Sequence, residues 1–321
     1  MTGTRKTLLD ERFVKIAGWL IVGIALFYVG QRLVENAGEF DTVLVTFPRL
    51  TLLIACTFGF AAALVPIAIV WGKLANPQPG FSPPLWQTFS IYGRSQFAKY
   101  IPGNVFHYAG RQVLGRQLGW SQSNMALASV LETFLIGAAA ASIILTYGIF
   151  IEDAVFALIP KVALGAGLAA SVAAPWLIVA FAHRIPFLRK SGVQIKPAKT
   201  IQNRLLLQAY STYLTYFAAT GALAYLALGI VGGSMDATMY PAVAASFIVA
   251  WLIGYVTPGA SGGLGVREAA FILILSTTLS EPTVIALALT LRVASTLADT
   301  LIFAASHLIH RKFNKDQSAS D

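Results

Sequence analysis

Apolar runs of about 20 residues with almost no charge recur along this chain, and that is the length a helix needs to cross a hydrocarbon core of roughly 30 Å. Of 321 residues, 56% are hydrophobic and 12% charged, against about 25% charged in an ordinary soluble domain. The chain reads as an integral membrane protein. Full crossings are predicted at about 13–30, 50–71, 121–148, 162–182, 205–231 and 283–309. Two further apolar stretches, about 86–119 and 241–280, each carry a Pro-Gly in the middle. The expected fold is therefore all-α: a polytopic membrane helix bundle with about six full spans and two broken or re-entrant helical segments. The stretches between spans are too short for a soluble domain, so residues 1–321 are read as a single membrane domain. The apolar run 13–30, preceded by Arg5, Lys6 and Arg12, is followed by no small-residue cleavage pattern and is read as an uncleaved first span.

The formal charge of +9 does not point to nucleic acid, because the cations lie in short loops between spans. Lysine and arginine are retained on the cytoplasmic side. With the N-terminus inside and each broken stretch entering and leaving on one side, the outside holds only Arg32, Arg49, Lys161 and Arg267. The inside holds the N-terminal cations, the group from Lys73 to Arg116, the loop from Arg184 to Arg204, and Arg311, Lys312 and Lys315. Glu35, Glu39, Asp41, Glu152, Asp153 and Asp236 fall outside. The expected location is the plasma (inner) membrane, multi-pass, with both termini cytoplasmic. A lone Cys56 excludes an internal disulfide, and no Cys/His ligand pattern, Walker A loop or nucleophile elbow is present. No metal and no cofactor are expected.

Under this topology each half of the chain reads span, span, broken stretch, span. Three crossings is an odd number, so the halves, about 13–148 and 162–310, would be inverted repeats. The two breaks agree in detail. One reads YIPGNVFHYAGRQ and the other YVTPGASGGLGVRE, each with a Tyr shortly before Pro-Gly and an Arg nine residues after the Pro (Pro102 to Arg111, Pro258 to Arg267). Matched Gly/Pro-interrupted segments in the two halves of a transporter mark the substrate site near mid-membrane.

A break at membrane depth survives only where protein or a wet cavity satisfies the freed backbone groups. The helix restarting after it presents N–H groups that attract anions. Gly259, Gly262, Gly263 and Gly265 let the backbone approach a ligand closely, and Arg267 adds a planar donor fork suited to phosphate. A tight interfacial turn with a snorkelling arginine is the structural alternative. His107, Tyr108 and Arg111 follow the first break at spacings that share a helical face and form an aromatic-basic patch. These eight residues are the candidate substrate-binding set, and none is assigned a catalytic role.

Four ionisable residues in apolar surroundings form a second set, since such residues mark function by default. Glu132 lies mid-span, with Arg111 or Arg292 as candidate partner. Glu268 follows Arg267 and points elsewhere, toward Arg292 or Arg111. Arg292 and Asp299 are two turns apart on one face. A polar pair holding helices together is the structural alternative for these.

KYIPGNVFHYAGRQ and TPGASGGLGVREAA resemble the two signature segments of the lysylphosphatidylglycerol synthase/flippase-type transmembrane family. The resemblance covers about 13–310, and departs from the family pattern where Ala260 and Ser261 separate the first Gly from the Gly-Gly. It takes in the membrane region alone, so it implies lipid handling without implying lysyl transfer. The leading expectation is a flippase-like protein that translocates or handles a phosphate-bearing phospho- or polyprenyl lipid, with that membrane lipid as its partner. Two alternatives stay open: a membrane-embedded transferase on a lipid-linked substrate, and a non-catalytic partner of a separate lipid-modifying enzyme.

Overall fold

The computed structural model describes residues 24, 27–32, 34–35, 46–77, 82–101, 105–150, 159–181 and 203–318. Most of the crossing predicted at 13–30, the tripeptide Pro102-Gly103-Asn104 and nearly all of the basic loop at 183–204 lie outside them. Among the described residues there are helices and turns and no strand. In chain order the helices are α1 (Phe47–Ala75), α2 (Leu85–Gln96), α3 (Phe106–Gln117), α4 (Gln122–Phe150), α5 (Lys161–Phe181), α6 (Asn203–Ala227), α7 (Tyr240–Val256), α8 (Val266–Leu275) and α9 (Glu281–Ser318). Five helical segments, at 47–75, 122–150, 161–180, 237–256 and 281–313, are long and apolar enough to cross a bilayer. The chain is a multi-pass membrane protein.

Two details differ from the sequence reading. The segment 237–256, there folded into a broken stretch, is itself long and apolar enough to span. Helix α6 forms as expected near 205–231 but is not one of the five, because Gln208, Ser211, Thr212, Thr215 and Thr220 dilute its apolar character. Several hydroxyls inside apolar helices are satisfied locally. Ser129, Thr133, Thr146 and Thr220 each donate to the carbonyl four residues back, whereas the Thr57 hydroxyl and the Trp71 Nε1 in α1 are buried without a hydrogen-bond partner.

The described fold divides into two compact units that interleave in sequence. One comprises residues 1–60, 97–107 and 221–298, the other 61–96, 108–220 and 299–321. Each draws on both halves of the chain.

In the second unit, α2 and α3 form an antiparallel helical hairpin. Three contacts at steadily shifting positions show this. Trp120 Nε1 donates to Gln87 Oε1 at 2.9 Å. A Cβ at Gly115 would lie 3.6 Å from Ile91, and one at Gly110 would lie 3.4 Å from Ser95. Each arm has 12 residues, about 18 Å at 1.5 Å per residue, so neither crosses a 30 Å core alone. The α2 arm runs antiparallel along the C-terminal third of α9. Trp86 stacks on Phe313 at 5.2 Å, Ser90 Oγ meets His310 Nδ1 at 2.9 Å, and a Cβ on Gly93 would lie 2.7 Å from Ser306 Cβ. Further along, α4, α5 and α6 are tied by one polar knot. The Ser142 hydroxyl lies 2.7 Å from Ser171 Oγ and 2.6 Å from Tyr210 Oη. Lys161 donates to the carbonyls of Gly148 and Ile149 at the end of α4, a cation placed where a helix leaves unbonded acceptors.

In the first unit, α7 and α8 make another antiparallel hairpin. Phe247 meets Phe271 edge-on with ring centroids 6.5 Å apart, and a Cβ on Gly254 would lie 3.1 Å from Arg267 Cβ and 3.2 Å from Gly263 Cα. Helix α8 has 10 residues, about 15 Å, again half a bilayer core.

The α2–α3 hairpin predicts that its two ends face the same side of the membrane. In a Cys56→Ala background, single cysteines at Ser82 and at Ser123 should label with a membrane-impermeant maleimide from the same side of sealed vesicles. Labelling from opposite sides would show that this stretch crosses the membrane.

Candidate functional site

The chemistry gathers at two places, one in each unit. In the first unit the site is built on the turn between α7 and α8. Helix α7 stops at Val256, and Pro258-Gly259 follows in an exposed turn. Gly259, Gly262, Gly263 and Gly265 all have positive φ, a region that other residues enter only with strain. Close approach enforces glycine at 262 for a second reason: a Cβ there would lie 3.2 Å from the Tyr100 ring. The glycines therefore shape the turn and seat an aromatic ring.

Helix α8 restarts at Val266, and Gly265 N–H donates to Glu268 Oε2 at 2.7 Å. This is half of a capping box. The helix start expected to attract an anion is thus partly occupied by the protein's own carboxylate. Glu268 Oε1 lies 3.5 Å from Arg292 Nη1, so of its two candidate cations Arg292 is the one brought to it. The same Arg292 nitrogen donates to the carbonyl of Gly262 at 2.9 Å. One guanidinium therefore holds both the broken backbone and the restarting helix.

Tyr100, two residues before the first Pro-Gly, covers this turn. Its ring lies 5.7 Å from the Arg292 guanidinium and its hydroxyl is 3.5 Å from Thr296 Oγ1. The segment before one Pro-Gly thus rests on the glycine turn of the other. Lys99 Nζ sits 5.5 Å from the same ring. Arg267 lies with its guanidinium 4.5 Å from the Phe247 ring centroid, a cation held by the negative face of an aromatic. Between α7, α8 and α9 lies a small, half-open recess lined by Phe247, Ala250, Arg267, Glu268, Phe271, Ala288, Leu291 and Arg292.

In the second unit Arg111 is 1% and Glu132 2% exposed, and the two form an ion pair. Arg111 is thus the one of Glu132's two candidate partners that the fold supplies. The guanidinium carbon lies 4.0 Å from the Tyr92 ring, 5.0 Å from Trp71 and 5.5 Å from Tyr108. Tyr92 Oη donates to the other carboxylate oxygen at 2.9 Å, and Tyr108 Oη meets Thr133 Oγ1 at 3.1 Å. A buried charge needs a partner and further hydrogen bonds; Glu132 receives both, while Arg111 reaches it through Nη1 and leaves its Nε without a hydrogen bond. Arg111 and Tyr108 come together as their spacing predicts, with Nη1 of Arg111 given to Glu132.

His107 is buried at the start of α3, and Asp299 is 3% exposed in α9. Tyr92, Tyr100, Trp71 and Phe247 were not selected from sequence, because an aromatic in an apolar run carries no mark of its later partner. Among the described residues no three of His, Cys, Asp and Glu come close enough to hold a metal. No protein-family model and no curated protein matches this chain.

The cage makes a quantitative prediction. Glu132→Gln strands a buried guanidinium and should cost about 3–5 kcal/mol of stability. Combined with Arg111→Gln, the two losses should be non-additive by more than about 0.5 kcal/mol. Glu132→Gln with Arg116→Gln, an exposed cation on the same α3, should be additive within that margin. Thermal or chemical denaturation in detergent measures both cycles.

Proposed function

We propose that this protein is a flippase-like translocator of a phosphate-bearing membrane lipid, of the lysylphosphatidylglycerol synthase/flippase type, and that the α7–α8–α9 pocket receives the phosphate. The observation that carries the reading is two guanidiniums, Arg267 and Arg292, lining one small pocket beside a broken helix in a membrane protein. An intramembrane cation at a helix break marks a substrate path. In this reading only the ionic part of a headgroup reaches the recess, while the acyl chains stay in the bilayer.

The two Pro-Gly stretches support the inverted-repeat reading: each belongs to an antiparallel hairpin with a half-span arm. In this scheme the phosphate site is built by the second half, 162–310, alone, and both termini lie in the cytoplasm. Glu268, in contact with the Gly265 N–H through one oxygen and Arg292 through the other, is the candidate coupling residue that lines this recess. Arg111 and Glu132 hold the bundle rather than the lipid.

Arg267→Lys keeps the charge and loses the planar two-donor fork. Losing one charge-assisted hydrogen bond of about 1.5 kcal/mol should slow lipid translocation about tenfold. Arg311→Lys, at an exposed cation near the end of α9, should leave it unchanged. The assay is dithionite quenching of a fluorescent phosphatidylglycerol in vesicles containing the purified protein. Equal rates for both variants would remove Arg267 from the site.

A further inference from the structure

The seam between α2 and the end of α9 gathers basic groups and no acid. Ser90 Oγ, on a residue 1% exposed, lies 2.9 Å from His310 Nδ1. On either side of that contact Trp86 stacks on Phe313 at 5.2 Å, and a Cβ on Gly93 would lie 2.7 Å from Ser306 Cβ. The titratable or charged groups that face His310 are Arg94, one turn beyond Ser90 on α2, and His307, one turn back on α9. Among the described residues Arg94 makes no ion pair. An arginine stays charged at any working pH. A proton on His310 therefore adds a second positive charge to the seam, and histidine is the side chain that makes this change between about pH 5 and 8.

The group is also within reach of solvent. The apolar segment 281–313 would be about 50 Å long at 1.5 Å per residue, more than the roughly 30 Å core. The exposed Arg311 and Lys312 follow His310 directly, which places it at the aqueous end of α9.

We propose that this seam is a pH-sensitive latch: with His310 neutral the α2 arm is held against α9, and a proton on His310 drives the two apart. The contact is strongest above the histidine range and weakens as the pH falls through it, because the protonated ring is repelled by Arg94 across the seam. Ser90 does not oppose this. Its hydroxyl bonds the ring in either state, donating to a neutral Nδ1 and accepting from a protonated one. Helix α2 also carries Tyr92, whose hydroxyl donates to Glu132 at 2.9 Å and whose ring lies 4.0 Å from the Arg111 guanidinium. One 12-residue helix thus connects a titratable group at the water-facing end to the buried ion pair. The latch is independent of what the α7–α8–α9 recess binds.

The test is the distance between spin labels at the exposed positions Leu85 and Leu308, introduced as Leu85→Cys and Leu308→Cys in the full-length Cys56→Ala protein in detergent and measured by double electron–electron resonance. Between pH 8 and pH 5.5 the population at longer distance should rise about twofold or more, the size of a partly screened like-charge effect. Salt at about 1 M, where the screening length is about 3 Å, should shrink that rise, and so should Arg94→Gln. In His310→Gln, which keeps a hydrogen-bonding side chain and cannot gain the charge, the distribution should hold its pH 8 form at both pH values. A wild-type distribution that is the same at pH 8 and pH 5.5 overturns the latch without any variant. A rise undiminished in His310→Gln overturns the assignment to His310, and one indifferent to both salt and Arg94→Gln overturns repulsion as its cause.

Discussion

A helix that stops and restarts within a few residues leaves backbone groups unbonded, and here one guanidinium reaches them. Arg292 donates to the carbonyl of Gly262 in the turn and stands 3.5 Å from Glu268 at the start of α8. The glycine conformations, the seat of Tyr100 and the position of Arg267 over Phe247 all follow from a turn held in this way. The structure and the proposed chemistry of the pocket depend on the same side chain.

The two arginine sites illustrate opposite uses of one residue type. Arg111 is enclosed by Trp71, Tyr92 and Tyr108 and paired with Glu132, so its charge is cancelled inside the protein. Such a pair is weak evidence for net stabilisation, yet breaking it is severe. It ties α3 to α4 within one unit. Arg267 instead lies over the Phe247 ring and lines the recess between α7, α8 and α9.

Half-span arms are the recurring device of the fold. The 12-residue helices α2 and α3 and the 10-residue α8 are too short to cross the core. They are stable because small residues let them pack closely. Gly110 against Ser95, Gly93 against Ser306 and Gly254 against Arg267 bring backbones together where a larger side chain would hold them apart. In a bilayer, where apolar burial contributes little between helices, such close packing is a main source of adhesion. Helix α5 shows the contrast, with only 17% of its apolar window buried and most of its surface left to lipid.

Much of this was legible along the chain. Apolar length alone places α1, α4, α5 and α9, because a helix crossing 30 Å of hydrocarbon leaves no other pattern of residues. Proline and glycine mark the turn after α7, since few other residues tolerate its dihedral angles. Intramembrane charge singled out Glu132, Glu268, Arg292 and Asp299 because isolated charge there is too costly to be incidental, and the spacing after the two Pro-Gly breaks singled out Arg111 and Arg267. The pairing of those charges was not legible. Whether Glu132 meets Arg111 or Arg292 depends on how helices distant in sequence rotate against one another, and periodicity within one helix carries no information about that. For the same reason Tyr92 and Trp71 carried no mark in the sequence, Tyr100 stood out only as the Tyr before a Pro-Gly, and only the tertiary structure set all three beside a guanidinium.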